Sequence, residues 1–295
     1  MIKHILVPLD GAATDERALN AAFTIAKLFH GHVDALHIRP DPRIAIPLVA
    51  EGFSSEMLER LIREAEQADQ ERASQARRSF DRAITAAGVH SVGYPDPEIA
   101  VASGSITATW REVMGQSEDI LVQRGRCADL ILFAQTFDTP PDVMRLETAL
   151  FETGQPILLA APGMDAEALS SVAIAWNGSR QAARAIAGAM PLLRRARTAT
   201  LLTVAGRSAV TGPTAPMITH LSDHLAWHGI SVAVDVLHDD GRPTGELLAD
   251  RAKETGAGLL VMGGYGHSRF REMVLGGATR YVLETALGCS VLMAH

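Results

Sequence analysis

Ile5-Leu6-Val7-Pro8-Leu9-Asp10-Gly11 and Val172-Ala173-Ile174-Ala175-Trp176-Asn177-Gly178 share one pattern: a run of apolar residues, then an acid or its amide, then glycine. A second pair, Gly154-Gln155-Pro156-Ile157-Leu158-Leu159-Ala160 and Gly288-Cys289-Ser290-Val291-Leu292-Met293-Ala294, matches at the far end of each half. One internal duplication accounts for both. Between these ends, short apolar runs alternate with stretches of helical period. The first half reads as strand 5–9, helix 15–29, strand 33–38, a long helical region 54–87, a strand near Val92, helix 106–122, strand 130–134, helix 142–152 and strand 157–160. The second half repeats the order: strand 172–176, helix 180–195, strand 199–204, helix 216–228, strand 232–237, helix 244–255, strand 259–262, helix 279–287 and strand 290–294.

Strands that are apolar almost throughout and separated by helices imply a parallel sheet covered on both faces. The expected fold is α/β, with two tandem doubly wound five-stranded parallel-sheet domains, 1–162 and 170–295. The stretch Pro162-Gly163-Met164-Asp165-Ala166-Glu167 has the composition of an exposed linker between them. A chain of 295 residues that is 47% hydrophobic has enough apolar surface for two cores of ordinary size. The region 54–87 has no counterpart of its length in the second half. As one helix it would reach about 50 Å, so a break or a protruding end is expected.

A net charge of -7 provides no general field for nucleic acid or anionic lipid. No apolar stretch approaches the roughly 18 residues of a membrane span, and the chain enters its first strand without the pattern of a secretion signal. Two cysteines, Cys127 and Cys289, stand near the starts of matching late strands. They read as reduced thiols of a cytoplasmic protein rather than as a disulfide.

The chemistry concentrates in Met262-Gly263-Gly264-Tyr265-Gly266-His267-Ser268-Arg269-Phe270-Arg271-Glu272-Met273-Val274-Leu275-Gly276-Gly277-Ala278-Thr279-Arg280, between the last two strands of the second half. Glycines directly after a buried strand let backbone N–H groups approach an anion. Gly276 and Gly277 open a helix whose free N–H groups and positive dipole end favour phosphate. In a parallel sheet this loop lies at the carboxyl ends of the strands, where ligands bind. It is not a P-loop, since the only lysines are Lys3, Lys27 and Lys253. The first half instead carries Gln135-Thr136-Phe137-Asp138-Thr139-Pro140-Pro141-Asp142, whose acids repel phosphate and whose prolines lack N–H donors.

These residues resemble the universal stress protein family in its tandem-domain form. The family pattern is Gly, two residues, Gly, nine residues, Gly, then Ser, Thr or Asn. Gly263, Gly266 and Gly276 meet it with nine residues from His267 to Leu275 between, and Gly277 stands in the last place. The resemblance implies Rossmann-like domains of the adenine-nucleotide alpha-hydrolase type, packed as a pseudo-dimer through the last strands, 157–160 and 291–294. It further implies an adenine nucleotide, ATP possibly with Mg²⁺, in the second domain. Trp176, Asn177, Gly178 and Val204 would hold the nucleoside end. Met262, Gly263, Gly266, His267, Gly276, Gly277, Ala278 and Thr279 would form the phosphate loop, with Thr279 supplying a hydroxyl that Gly277 lacks. A stress-response sensor or adaptor follows from this, with an unknown protein partner and a possible homodimer of the tandem chain. A slow ATPase or transferase of the same α/β group and a nucleotide-free scaffold remain open alternatives.

Other groupings have plainer readings. His220, His224 and His228 recur at every fourth residue, a spacing that suits a metal but also the polar edge of a helix. Asp239-Asp240-Gly241 reads first as a turn. The charge-dense run 56–82 reads as a solvated helix face or a partner surface. No catalytic residue and no metal ligand set is nominated.

Overall fold

The computed structural model describes residues 1–41, 54–93, 106–136, 142–205, 214–264, 277–285 and 287–295. Contacts divide the chain into two units, Ile2–Leu132 and Phe133–His295, the latter with Met1. The first contains β1 (His4–Leu9), α1 (Asp15–Phe29), β2 (His32–Arg39), α2 (Ser55–Ala87), β3 (His90–Ser91), β4 (Thr107–Met114) and α3 (Ser117–Gly125). The division crosses β5 (Leu130–Ala134) after Leu132. The strand order is β3-β4-β2-β1-β5, with parallel pairings between the neighbours.

One sequence expectation fails here. Residues 107–114, read as the start of a helix, form a strand paired with β2 along its whole length, from His32 beside Thr107 to Arg39 beside Met114. Thr107, Thr109 and Trp110 are residue types that suit a pleated surface. The strand also places Arg111 against Asp34, which is 3% exposed, with Arg111 Nε 2.9 Å from both carboxylate oxygens. A helix over 107–114 would lose this cross-strand pair. The helix instead begins at Ser117, after Gly115 with φ of 153°. The strand expected near Val92 is reduced to the two exposed residues of β3.

The long helix α2 is continuous over 33 residues, capped by Ser54 Oγ accepting from Met57 N and ended by Gly88 in the left-handed region. Its buried positions begin only at Asp69. The preceding turns therefore protrude, carrying exposed ion pairs such as Arg60–Glu64 and Arg63–Glu59, which solvent screens so that they add little to stability.

The second unit contains α4 (Val143–Glu152), β6 (Ile157–Ala160), a short turn of 3-10 helix (Ala168–Ser170), β7 (Ser171–Ala175), α5 (Arg180–Leu193), β8 (Thr198–Ala205) and α6 (Ala215–Trp227). β9 (Ala233–His238), α7 (Thr244–Glu254), β10 (Leu259–Gly263), α8 (Gly277–Glu284) and β11 (Ser290–Ala294) complete it. The order is β6-β11-β10-β7-β8-β9, parallel except where β6 meets β11. There Val291 lies beside Leu159, Leu292 beside Leu158 and Met293 beside Ile157, the last-strand pairing expected from the sequence. Ser290 Oγ accepts from Ala161 N at 3.1 Å, and Gln135 Nε2 donates to Cys289 O at 2.8 Å, fixing that register. Burial pushes the Cys289 thiol up to about 11, which keeps it protonated and inert.

Candidate functional site

β7 ends in a turn built from its own side chains. Trp176 N donates to Leu202 O at 2.8 Å, Asn177 Oδ1 accepts from Ser179 N at 3.0 Å, and Gly178 has φ of 76°. Ser179 Oγ then accepts from Ala182 N at 3.1 Å and caps α5. The first unit forms the same turn, with Asp10 Oδ1 accepting from Ala12 N at 2.9 Å and Gly11 at φ of 85°. One difference separates them. In the first unit the buried carboxylate of Asp15 accepts from Asp10 N at 3.3 Å and from Gly11 N at 2.9 Å. In the second, the corresponding residue is Ala182, which has no acceptor. This contrast is legible once the repeats are aligned beyond the strand, a step the motif alone does not prompt.

The helix starts differ in the same sense. Asp142 Oδ1 accepts from Arg145 N at 3.0 Å, so α4 supplies its own anion at its N-terminus. At Gly277, which opens α8, an added Cβ would meet nothing within 4 Å among the described residues. Around the second turn, α5 carries Arg180 and Arg184 without any acidic residue, and Arg184 Nη1 donates to His295 O at 2.6 Å.

The remaining sequence-nominated residues are placed as follows. Val261 lies beside Ile174, so Gly263 and Trp176 leave the sheet at the same level. An added Cβ at Gly263 would sit 2.5 Å from Ala182 N, so this glycine is needed for β10 to pack against the first turn of α5. Gly264 donates to Ala294 O at 2.9 Å, and a Cβ there would press on Leu150. Met262 is buried beside Met293, and Val204 is half-buried beside Leu237. Thr279 is 2% exposed, on the packed face of α8, while Ala278 backs onto Gly245. Gly266, His267 and Gly276 lie outside the described residues, as do 137–141 of the first repeat. The structure thus brings Trp176, Asn177, Gly178 and Gly263 to one edge and turns the side chains of Met262 and Thr279 inward.

Asp239 and Asp240 form the expected turn, accepting from Gly241 N at 2.9 Å and Arg242 N at 3.0 Å. Among the described residues no three side chains form a metal-binding group, His220, His224 and His228 included, and no helix is long and apolar enough to cross a membrane.

A model of the universal stress protein family matches residues 1–109 and 170–295. Among solved structures, a universal stress protein from Archaeoglobus fulgidus is similar with a TM-score of 0.69 at 15% identity, covering 99% of this chain and 97% of its own. A Pseudomonas aeruginosa structure placed among the universal stress proteins is similar with a TM-score of 0.56 at 15% identity, covering 99% of this chain and 92% of its own. At that identity the likeness is one of fold. No curated protein matches the chain.

Proposed function

Given that the chain belongs to the universal stress protein family, we propose that it binds one adenine nucleotide, ATP with Mg²⁺ as the leading form, through its second repeat alone. The domains are taken as 1–162 and 170–295, a boundary supported by the family match resuming at residue 170. The observation that carries the reading is the pair of anion positions. In the first repeat protein carboxylates fill both, Asp15 at the strand-end turn and Asp142 at the helix start. In the second repeat Ala182 replaces one acid, and the helix opens on Gly277, where an added Cβ would meet none of the described residues. Backbone N–H groups at a helix start and the Arg180 and Arg184 charges suit a phosphate chain. Trp176, Asn177 and Gly178 would border the nucleoside, with Gly266, His267, Gly276 and Ala278 completing the phosphate loop.

Without a nominated base or metal-carboxylate pair, nucleotide occupancy rather than turnover is the signal, and the protein acts as a stress-response sensor or adaptor. The unbridged Cys127 and Cys289 suit a reducing, cytoplasmic setting. The protruding half of α2 is the natural surface for a protein partner. A second reading, a scaffold that binds no nucleotide, is favoured by Gly263 being explained by packing and by Asn177 Oδ1 being used in its own turn. Native mass spectrometry of the chain purified without added ligand separates the two. A bound adenine nucleotide at one per chain supports the first; no bound nucleotide and none taken up on addition supports the second. Steady phosphate release above background would instead favour the slow ATPase.

A further inference from the structure

A cavity of about 630 Å³ opens between α5 and α6, within the size range of sites for small organic ligands. Along α5 its wall is Ala183, Ile186, Ala187 and Met190, at helical spacing. Ala183 and Ala187 are exposed, whereas Ile186 is buried together with Ala182, Ala185 and Ala189. Gly263 meets α5 at Gln181 and Ala182, one turn before Ile186. Opposite, α6 buries only Leu221 and Leu225 along its length. In the first unit, by contrast, α2 seals its core with Ala73, Ala76, Phe80 and Ala83 among others.

Polar donors mark both ends of this apolar wall. Trp176 lines it, and its Nε1 is buried with no hydrogen-bond partner among the described residues. A buried N–H without an acceptor is a rare arrangement that a ligand oxygen would relieve. At the other end the Arg194 guanidinium donates to His228 Nδ1 at 2.8 Å. Because a guanidinium cannot accept, the ring proton of neutral His228 sits on Nε2, which is a second donor. Arg194 and Arg195 directly follow α5, a helix with Arg180 and Arg184 and no acid.

We propose that this cavity binds a small, largely apolar carboxylate. Its acid group lies at the Arg194–His228 end, its body lies against Ile186, Met190 and Leu221, and a further oxygen can accept from Trp176. The wall from Ala183 to Met190 is about 10 Å long, which suits a fused-ring aromatic acid or a medium-chain fatty acid. Trp176 also borders the proposed nucleoside end, so the two sites share that residue, while the acid end at Arg194 and His228 does not rest on the nucleotide reading.

Calorimetric titration of the full chain with 2-naphthoate and with decanoate, each beside its neutral alcohol, tests it. One or both acids should bind at one per chain with Kd of about 1–100 μM, and the acid that binds identifies the source. Ala187→Trp, which fills the cavity from an exposed position, should weaken binding at least about tenfold. Arg194→Gln should weaken the acid by a similar factor and leave the alcohol unchanged, roughly the share of a charge-assisted hydrogen bond. Gly277→Asp should leave acid binding as in the wild type while removing nucleotide. Failure of both acids to bind at about 1 mM, or binding that Ala187→Trp does not alter, would overturn the site. An alcohol binding as tightly as its acid would overturn the carboxylate assignment.

Discussion

An added Cβ at Gly263 would lie 2.5 Å from Ala182 N and 2.8 Å from Gln181 C, backbone held by the cap of α5. Gly263→Ala should therefore destabilise the chain by about 1–3 kcal/mol in urea denaturation, whatever it does to ligand. Gly277→Ala, at a helix start where a Cβ would meet none of the described residues, should change stability by no more than about 0.5–1 kcal/mol and in the stabilising direction. Equal losses at the two sites would contradict this division of roles. In the first unit, Asp34 is held by Arg111 and by His4, whose Nε2 is 3.7 Å away. Burial pushes the Asp34 carboxyl up, but the bonds and charges of His4 and Arg111 outweigh it and hold it below the ordinary range. Arg111→Ala strands that buried charge and should cost about 3–5 kcal/mol. Nearby, burial pushes His32 down to about 4, with the charge of Asp34 acting against it. Its folded pKa lies below its unfolded value of about 6.5, so the unfolded chain binds a proton that the folded one refuses. The stability this contributes is present above pH 6.5 and is lost as pH falls toward about 4, up to about 3 kcal/mol in all. His32→Gln should flatten the stability profile across that window, and an unchanged slope would count against the assignment.

Among the elements, those with a strong single period were legible in advance. α1, β5 and β6 begin and end where their apolar runs do. β4 was not, because Thr107-Ala108-Thr109-Trp110-Arg111-Glu112-Val113-Met114 mixes helix formers with strand formers, and the deciding contact, Arg111 with Asp34, is long-range. The pairing of β6 with β11 has a consequence for the isolated second repeat. A fragment 170–295 lacks Ile157, Leu158 and Leu159, leaving the edge of β11 with unpaired backbone groups beside a buried apolar strand. It should self-associate through that edge. Analytical ultracentrifugation at micromolar concentration should show a dimer, and a folded monomer would argue that β6 is dispensable.

For the whole molecule, the duplication could be read from two short pairs of segments, and the proposed difference between its two late loops from glycine against proline and aspartate. What could not be read was how each repeat handles its own anion positions. Asp15 looks like any acid in a first helical turn until its carboxylate is seen on Asp10 N and Gly11 N. Gly263 looks like part of a phosphate cradle until its distance to Ala182 is measured. We propose a tandem chain whose first repeat satisfies its own anion positions and whose second binds a phosphate. Calorimetric titration of the full chain with ATP and Mg²⁺ tests this directly. It should give one site per chain, weakened at least about a hundredfold by Gly277→Asp, which adds a carboxylate beside the phosphates, with thermal stability unchanged. Two sites per chain, or binding that Gly277→Asp leaves intact, would contradict it.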